Sequence, residues 1–232
     1  LKQPSGGKVN MREILAEDLR AGQPPRAFLS PGEGVHILRV DGRWLWLRRE
    51  LQVGQSVACL SGTGGFGTHT LAPAKLCMPL PPGFPPADAA AFIMIYATSH
   101  HALLDRGQLK AGETVLVLGA AGGVGMSAIQ IAKIAGARVI AAASTDDKCA
   151  FCKQLGADET INYSTQDLRE RLKELTAGQG PDVIYDPVGG DFTELAFRSI
   201  AWRGRHLVVG FAAGDIPAIK INLALVKGAS IV

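Results

Sequence analysis

From residue 114 onward, short apolar runs alternate with stretches where apolar residues recur every three or four positions. The runs are TVLVLGA, ARVIAAAS, ETINY, DVIYDPVG and GRHLVVGF, with ASIV at the end. They are continuous rather than alternating, which predicts strands buried on both faces. Strands interleaved with amphipathic segments predict βαβ units and a parallel sheet, with right-handed crossovers and helices on both faces. The expected fold class is therefore α/β, with a doubly wound parallel sheet.

The helical segments carry their own signals. VGMSAIQIAKIAGA puts Val124, Ala128, Ile131 and Ala135 on one stripe and stops at Gly136. STQDLRERLKELTAG offers Ser164 or Thr165 as an N-cap, points Leu168, Leu172 and Leu175 inward, and leaves Glu170 and Glu174 on a wet face.

Upstream of residue 114 the pattern changes. A Pro-rich stretch, LPPGFPPA, precedes a helical segment from about Ala87, and a domain boundary is expected there. Residues 51–86 are Gly/Thr-rich and strand-like, suggesting a small β module. Within residues 1–50, VHILRV-DG-RWLWLRRE reads as a hairpin turning at Asp41-Gly42. Residues 1–30 give no element. The expected organisation is thus 1–50, 51–86 and 87–232.

Composition narrows the class. The 232 residues are 47% hydrophobic, enough for a large core in one or two domains. The net charge of +3 has no like-charged block behind it, so nothing calls for nucleic acid or a membrane surface. No run is long enough to span a bilayer. The four cysteines, Cys59, Cys77, Cys149 and Cys152, are too few for a disulfide scaffold and fit a reducing, cytoplasmic setting. Cys149 and Cys152 have metal or redox spacing, but they sit in a helical stretch without a second pair. His69, His100 and His101 form no ligand set.

The chemistry concentrates where LVLGAAGGVGMSAIQIAK takes a strand into a helix. Against the dinucleotide fingerprint G-x-G-x-x-G, Gly122 and Gly125 match the second and third glycines and Ala120 replaces the first. Gly122 would let the backbone approach a pyrophosphate at the helix N-terminus, and Gly125 would let helix and strand pack closely. An ordinary tight turn is the simpler reading of such glycines alone. Their place between strand and helix, inside a βαβ series, favours a nucleotide. The next strand ends in Ala143-Ser144-Thr145, without the acid that binds an NAD ribose. Ser144, Thr145 and Lys148 could instead hold a 2′-phosphate, which favours NADP(H).

With these residues in view, the chain resembles the quinone oxidoreductase (zeta-crystallin-like) branch of the medium-chain dehydrogenase/reductase superfamily. The resemblance covers residues 51–232 and rests on VGQSVACL, GGFGTHTLAPAKL, AGETVLVLGAAGGVG, LGADETINY and YDPVGGD. It implies a Rossmann domain beside a partial GroES-like domain, a homodimer, and NADPH bound in between. By position it puts Gly122, Gly123 and Val124 on the pyrophosphate, Ser144, Lys148 and Tyr163 around the 2′-phosphate, and Gly210 and Phe211 near the nicotinamide. His100 falls where some relatives carry an aromatic residue near the cofactor. The ligand pattern of the family's zinc-dependent cousins is absent, so no metal site is expected.

Two family segments are not found cleanly. Either VNMREIL supplies the family's asparagine as Asn10, or SPGEGVHILRV matches an earlier family strand and the asparagine segment is missing; the Asp41-Gly42 hairpin favours the second. The last strand is expected to be cut short. The function implied is a zinc-independent, NADPH-dependent hydride transfer to a quinone or α,β-unsaturated carbonyl. The alternative is an NADPH-binding module without turnover. No catalytic side chain is singled out: Tyr185 and Asp186, at a strand end, read as structural, and RNA binding has no support in the charge pattern.

Overall fold

The computed structural model describes residues 27–30, 34–37 and 54–232, apart from 61, 63 and 68. It divides into two compact units, Leu1–Ile93 and Met94–Val232.

The first unit contains two small antiparallel pairs. Strand β1 (Ala27–Ser30) pairs with β2 (Gly34–Ile37), with Ala27 opposite Ile37. Neither β1 nor its pairing is signalled by the apolar pattern. The Asp41-Gly42 turn and Asn10 lie outside the described residues. Strand β3 (Val57–Cys59) pairs with β4 (Cys77–Pro79), placing Cys59 directly opposite Cys77. Ala58, Ala89 and Ile93 bury together against Leu80 and Phe84. Helix α1 (Pro86–His100) opens on a proline, which has no N–H to leave unsatisfied. It runs on into a π-helical turn, His101–Arg106.

The second unit is a six-stranded sheet: β5 (Thr114–Val117), β6 (Arg138–Ala143), β7 (Glu159–Asn162), β8 (Val183–Asp186), β9 (Arg205–Val208) and β10 (Ser230–Ile231). Its spatial order is β10-β9-β8-β5-β6-β7 and every pairing is parallel. That is the Rossmann order, which reverses direction between β5 and β8.

Successive side chains on a strand point to opposite faces, and here both sets are apolar. Val115, Val117, Val139, Ala141, Val183 and Tyr185 pack on one face. There they meet helix α2 (Gly123–Ile134) and Cys152 of helix α3 (Asp146–Gln154). Leu116, Leu118, Ile140, Ala142 and Ile184 pack on the other. There they meet α4 (Leu168–Leu175) and α5 (Gly190–Arg198). A last short helix, α6 (Asn222–Lys227), precedes β10.

Two local expectations need correction. The buried residues of α2 are Gly125, Ser127, Ala128, Ile129 and Ala132; Val124, Ile131 and Ala135 only flank them. Gly125 must face the Gly119 and Ala120 carbonyls, and that fixes the rotation of the helix, carrying Ala128, Ile129 and Ala132 inward with it. The N-cap of α4 is Asp167, whose carboxylate accepts from the Glu170 N–H at 2.8 Å. Ser164 and Thr165 belong to the turn after β7, where their hydroxyls bond to the Ser144 and Asn162 carbonyls. Thr145 caps α3 by accepting from the Lys148 N–H.

Candidate functional site

The site is built at the carboxyl end of the central strand. Past β5 the chain turns at Gly119, whose φ of +56° is left-handed. The turn closes with the Gly122 N–H donating to the Gly119 carbonyl at 3.0 Å. Gly122 is the N-cap of α2 and has no side chain to cap it. The first-turn N–H groups of the helix therefore face the turn, with the positive end of the helix dipole behind them.

The glycines divide by role. A Cβ on Gly125 would lie 2.6 Å from the carbonyl oxygens of both Gly119 and Ala120, so this glycine lets the helix sit on the turn. A Cβ on Gly119 would lie 2.8 Å from a methyl of Val188. Gly122 and Gly123 are exposed; a Cβ there would meet only the Gly119 carbonyl at 3.3 Å or an Ile95 methyl at 3.2 Å. The fingerprint assigned Ala120 to the tight-turn position. In the structure Gly119 makes that turn, one residue earlier, and its place directly after the apolar run was the available signal.

A cavity of about 150 Å³ opens against this turn, lined by Gly119, Ala121, Gly122, Ala143, Ser144, Lys148 and Tyr163. The fold thus brings together Gly122, Ser144, Lys148 and Tyr163 of the expected set. Gly123 and Val124 begin α2 at its edge. No carboxylate lines it. Lys148 Nζ donates to Ser144 Oγ at 3.0 Å. Asp146 is turned away, its carboxylate accepting from Asn162 Nδ2 at 2.7 Å. The Tyr163 ring leans on Phe192, with centroids 4.5 Å apart. These residues fit an NADP-type dinucleotide: an uncapped helix start with glycines for a pyrophosphate, and a serine–lysine pair for a 2′-phosphate. A larger cavity of about 420 Å³ is lined by charged residues such as Arg169, Lys173 and Arg198. It lacks the glycine turn, so we place the site at the smaller one.

Gly210 and Phe211 follow β9 and are not among the residues lining this cavity. Gly210 lies against Pro187, and Phe211 lies against Gly189. Both pack on the loop after β8, which itself touches Gly119 through Val188.

That loop is pinned by a group that sequence reasoning saw only as structural. Asp186, 2% exposed, accepts from the N–H groups of Val188 (2.9 Å) and Gly189 (3.0 Å) with one oxygen. Its other oxygen takes the Thr193 hydroxyl (2.6 Å) and meets His206 Nε2 (3.1 Å). Burial pushes the carboxyl upward, but the bonds from His206, Thr193 and Gly189 outweigh it and hold Asp186 below the usual range. Tyr185, also buried, bonds through its hydroxyl to Ser99 at 2.7 Å, and Ser99 reaches Ser127 of α2 at 2.7 Å. Both residues thus serve the framework. His206 and Ser99 carried no spacing signal because their partners are distant in sequence, and Thr193 because it reaches Asp186 from a different element.

The cysteines at 149 and 152 lie on α3, both buried. Burial, with Asp146 nearby, raises Cys149, and burial pushes Cys152 up to about 11. His100 and His101 are exposed. Among the described residues, no three or more His, Cys, Asp or Glu side chains gather as a metal site. Nor is any described helix long and apolar enough to cross a membrane.

Comparison with known proteins gives the relatives. Residues 123–232 match the family described as zinc-binding dehydrogenase. A quinone oxidoreductase-like protein 2 homolog of Nematostella vectensis is 36% identical over 228 residues, covering 97% of this chain and 61% of that protein. The chain belongs to the medium-chain dehydrogenase/reductase superfamily. Among solved members, a quinone oxidoreductase of Pseudomonas syringae pv. Tomato superposes with a TM-score of 0.74 at 33% identity, covering 78% of this chain and 57% of that one. The Escherichia coli quinone oxidoreductase, solved in complex with NADPH, gives a TM-score of 0.74 at 30% identity and covers 79% and 57%. The chain spans about three fifths of the length of the superfamily relatives that match nearly all of it.

Proposed function

We propose that this chain is the NADPH-binding part of an oxidoreductase that reduces a quinone or an α,β-unsaturated carbonyl. The observation that carries the reading is the 150 Å³ cavity, where the glycine turn, Ser144, Lys148 and Tyr163 converge without a carboxylate. The similarity to quinone oxidoreductases, one of them solved with NADPH, supports it. When bound, the nicotinamide cofactor supplies the hydride. The chain's own residues hold and aim it. Gly122, Gly123 and Val124 present backbone N–H groups to the pyrophosphate, Lys148 and Ser144 take the 2′-phosphate, and Tyr163 walls that end. Gly210 and Phe211, packed against the loop that Asp186 pins, would face the nicotinamide side.

We read the chemistry as zinc-independent. What supports this is His206, the only histidine of residues 123–232, whose Nε2 is taken up with Asp186. We assign residues 51–86 to a GroES-like domain and 87–232 to the Rossmann domain. A homodimer accords with the exposed apolar side chains Ile221, Leu225, Val226 and Ile231. Four cysteines in no disulfide suit the reducing cytoplasm.

A paired titration with NADPH and NADH tests the site. NADPH should bind at least about 10-fold more tightly, and Lys148→Ala should remove most of that difference while leaving NADH unchanged. Equal losses for both cofactors would refute the 2′-phosphate role. Adding a small ortho-quinone should then oxidise the bound NADPH. Binding without oxidation would make the chain a nucleotide-binding module without turnover.

A further inference from the structure

The first unit holds a pair of cysteines that the dinucleotide site does not use. Cys59 of β3 and Cys77 of β4 are directly opposed across an antiparallel ladder. The ladder bond beside them runs from the Leu60 N–H to the Leu76 carbonyl, outside the pair. Cys59 and Cys77 are therefore a non-hydrogen-bonded pair, the kind whose Cα atoms approach to about 4.5 Å with side chains on one face. A disulfide spans Cα separations of about 4.4–6.8 Å. The usual spacing of such a pair falls within that range.

Their environments give them different parts. Cys59 is half-buried and Cys77 is buried. The Cys77 thiol, donating toward Cys59, brings Cys59 down to about 7 against the opposing effect of burial. The same S–H also has the Pro73 carbonyl within reach at 3.6 Å. With Cys59 ionised, the charge-assisted bond to its sulfur is the stronger of the two. Cys59 is thus poised as a thiolate near neutral pH, with a second sulfur beside it. Cys149 and Cys152 show the contrast. They have the familiar C-x-x-C spacing, but both are buried and their thiols are pushed upward, so they stay protonated and inert.

We propose that Cys59 and Cys77 form a reversible, peroxide-sensitive thiol pair, with Cys59 the attacking and Cys77 the resolving residue. The Cys59 thiolate attacks one oxygen of hydrogen peroxide. The O–O bond breaks, a sulfenic acid forms, and hydroxide leaves to be protonated to water. Cys77 then loses its proton and attacks the Cys59 sulfur. The S–S bond forms, the S–O bond breaks, and a second water leaves. Two thiols are oxidised and one peroxide is reduced to two waters. The link closes residues 60–76, where Gly62 and Gly64 take left-handed conformations, into a covalent loop. A thiol donor such as glutathione reopens it by exchange.

The test uses the full chain. It is treated with hydrogen peroxide, alkylated in denaturant and digested with trypsin. Cleavage after Lys75 separates Cys59 from Cys77, whereas Cys149 and Cys152 stay in one peptide. The expected product is peptide 50–75 joined to peptide 76–106, lost on adding dithiothreitol, with a formation rate that rises with pH through about 7. In Cys77→Ser, dimedone should trap a sulfenic acid on Cys59 and no cross-link should form. Full alkylation of Cys59 and Cys77 after peroxide would overturn the proposal. So would a Cys149–Cys152 bridge forming first, or a Cys77→Ser variant that dimedone does not label.

Discussion

The glycine turn contains two pairs of glycines that look alike in the sequence and differ in the structure. Gly119 and Gly125 face inward. A side chain on either would meet protein atoms at 2.8 or 2.6 Å. Gly122 and Gly123 face outward and are exposed, and a Cβ there would be nearly accommodated. The inner pair lets strand, turn and helix approach one another. The outer pair leaves room for something outside the protein. A motif read as one signature therefore combines a folding requirement with, on the proposed function, a binding requirement, carried by different residues.

Substitutions can separate the two. Gly125→Val should have the largest effect on stability, about 3 kcal/mol or more, because rigid carbonyls obstruct its Cβ. Gly119→Ala should cost about 1–2 kcal/mol for the left-handed backbone, since the Val188 methyl in its way can rotate aside. Gly122→Asp should change stability by less than about 0.5 kcal/mol, because aspartate is a favoured N-cap at the position Gly122 holds. Urea unfolding would give this order, and a Gly122→Asp as destabilised as Gly125→Val would break the distinction. The same Gly122→Asp protein, still folded, should bind NADPH at least about 100-fold more weakly, because its carboxylate meets the pyrophosphate. Undiminished binding measured by calorimetry would remove the outer pair from the site.

Much of this was legible in the chain. The five apolar runs from TVLVLGA to GRHLVVGF all become parallel strands, and their continuity reflects a sheet covered on both faces. The convergence of Gly122, Ser144, Lys148 and Tyr163 on one cavity follows from the topology, which sets the ends of β5, β6 and β7 side by side. What the pattern concealed were matters of close contact. The N-cap of α4 moved from Ser164 or Thr165 to Asp167 because Asn162 and Ser144 engage the two hydroxyls. The buried line of α2 is rotated from the expected stripe because Gly125 must face the turn, which carries Ala128, Ile129 and Ala132 inward. Gly119 was passed over because the fingerprint puts its first glycine two residues before Gly122, and here the turn glycine stands three before it. Asp186, Thr193 and His206 came together through three separate elements, a proximity that no local window contains.

The Asp186 cluster has a consequence for acid solutions. Its carboxyl is held below the ordinary value, near 3.9 for an unfolded chain. The unfolded chain therefore takes up a proton before the folded one does, and acts as the better base. The stability this group contributes is complete above about pH 4 and drains away as the pH falls through its lower folded value. The loop from Pro187 to Gly189 depends on that carboxylate for two of its N–H partners. Unfolding free energies measured down to about pH 3 should fall less steeply for Asp186→Asn than for the unaltered chain, and parallel curves would show that the proton goes elsewhere. Acid would then act on the loop that lies against Gly119, through a residue that does not itself line the cavity.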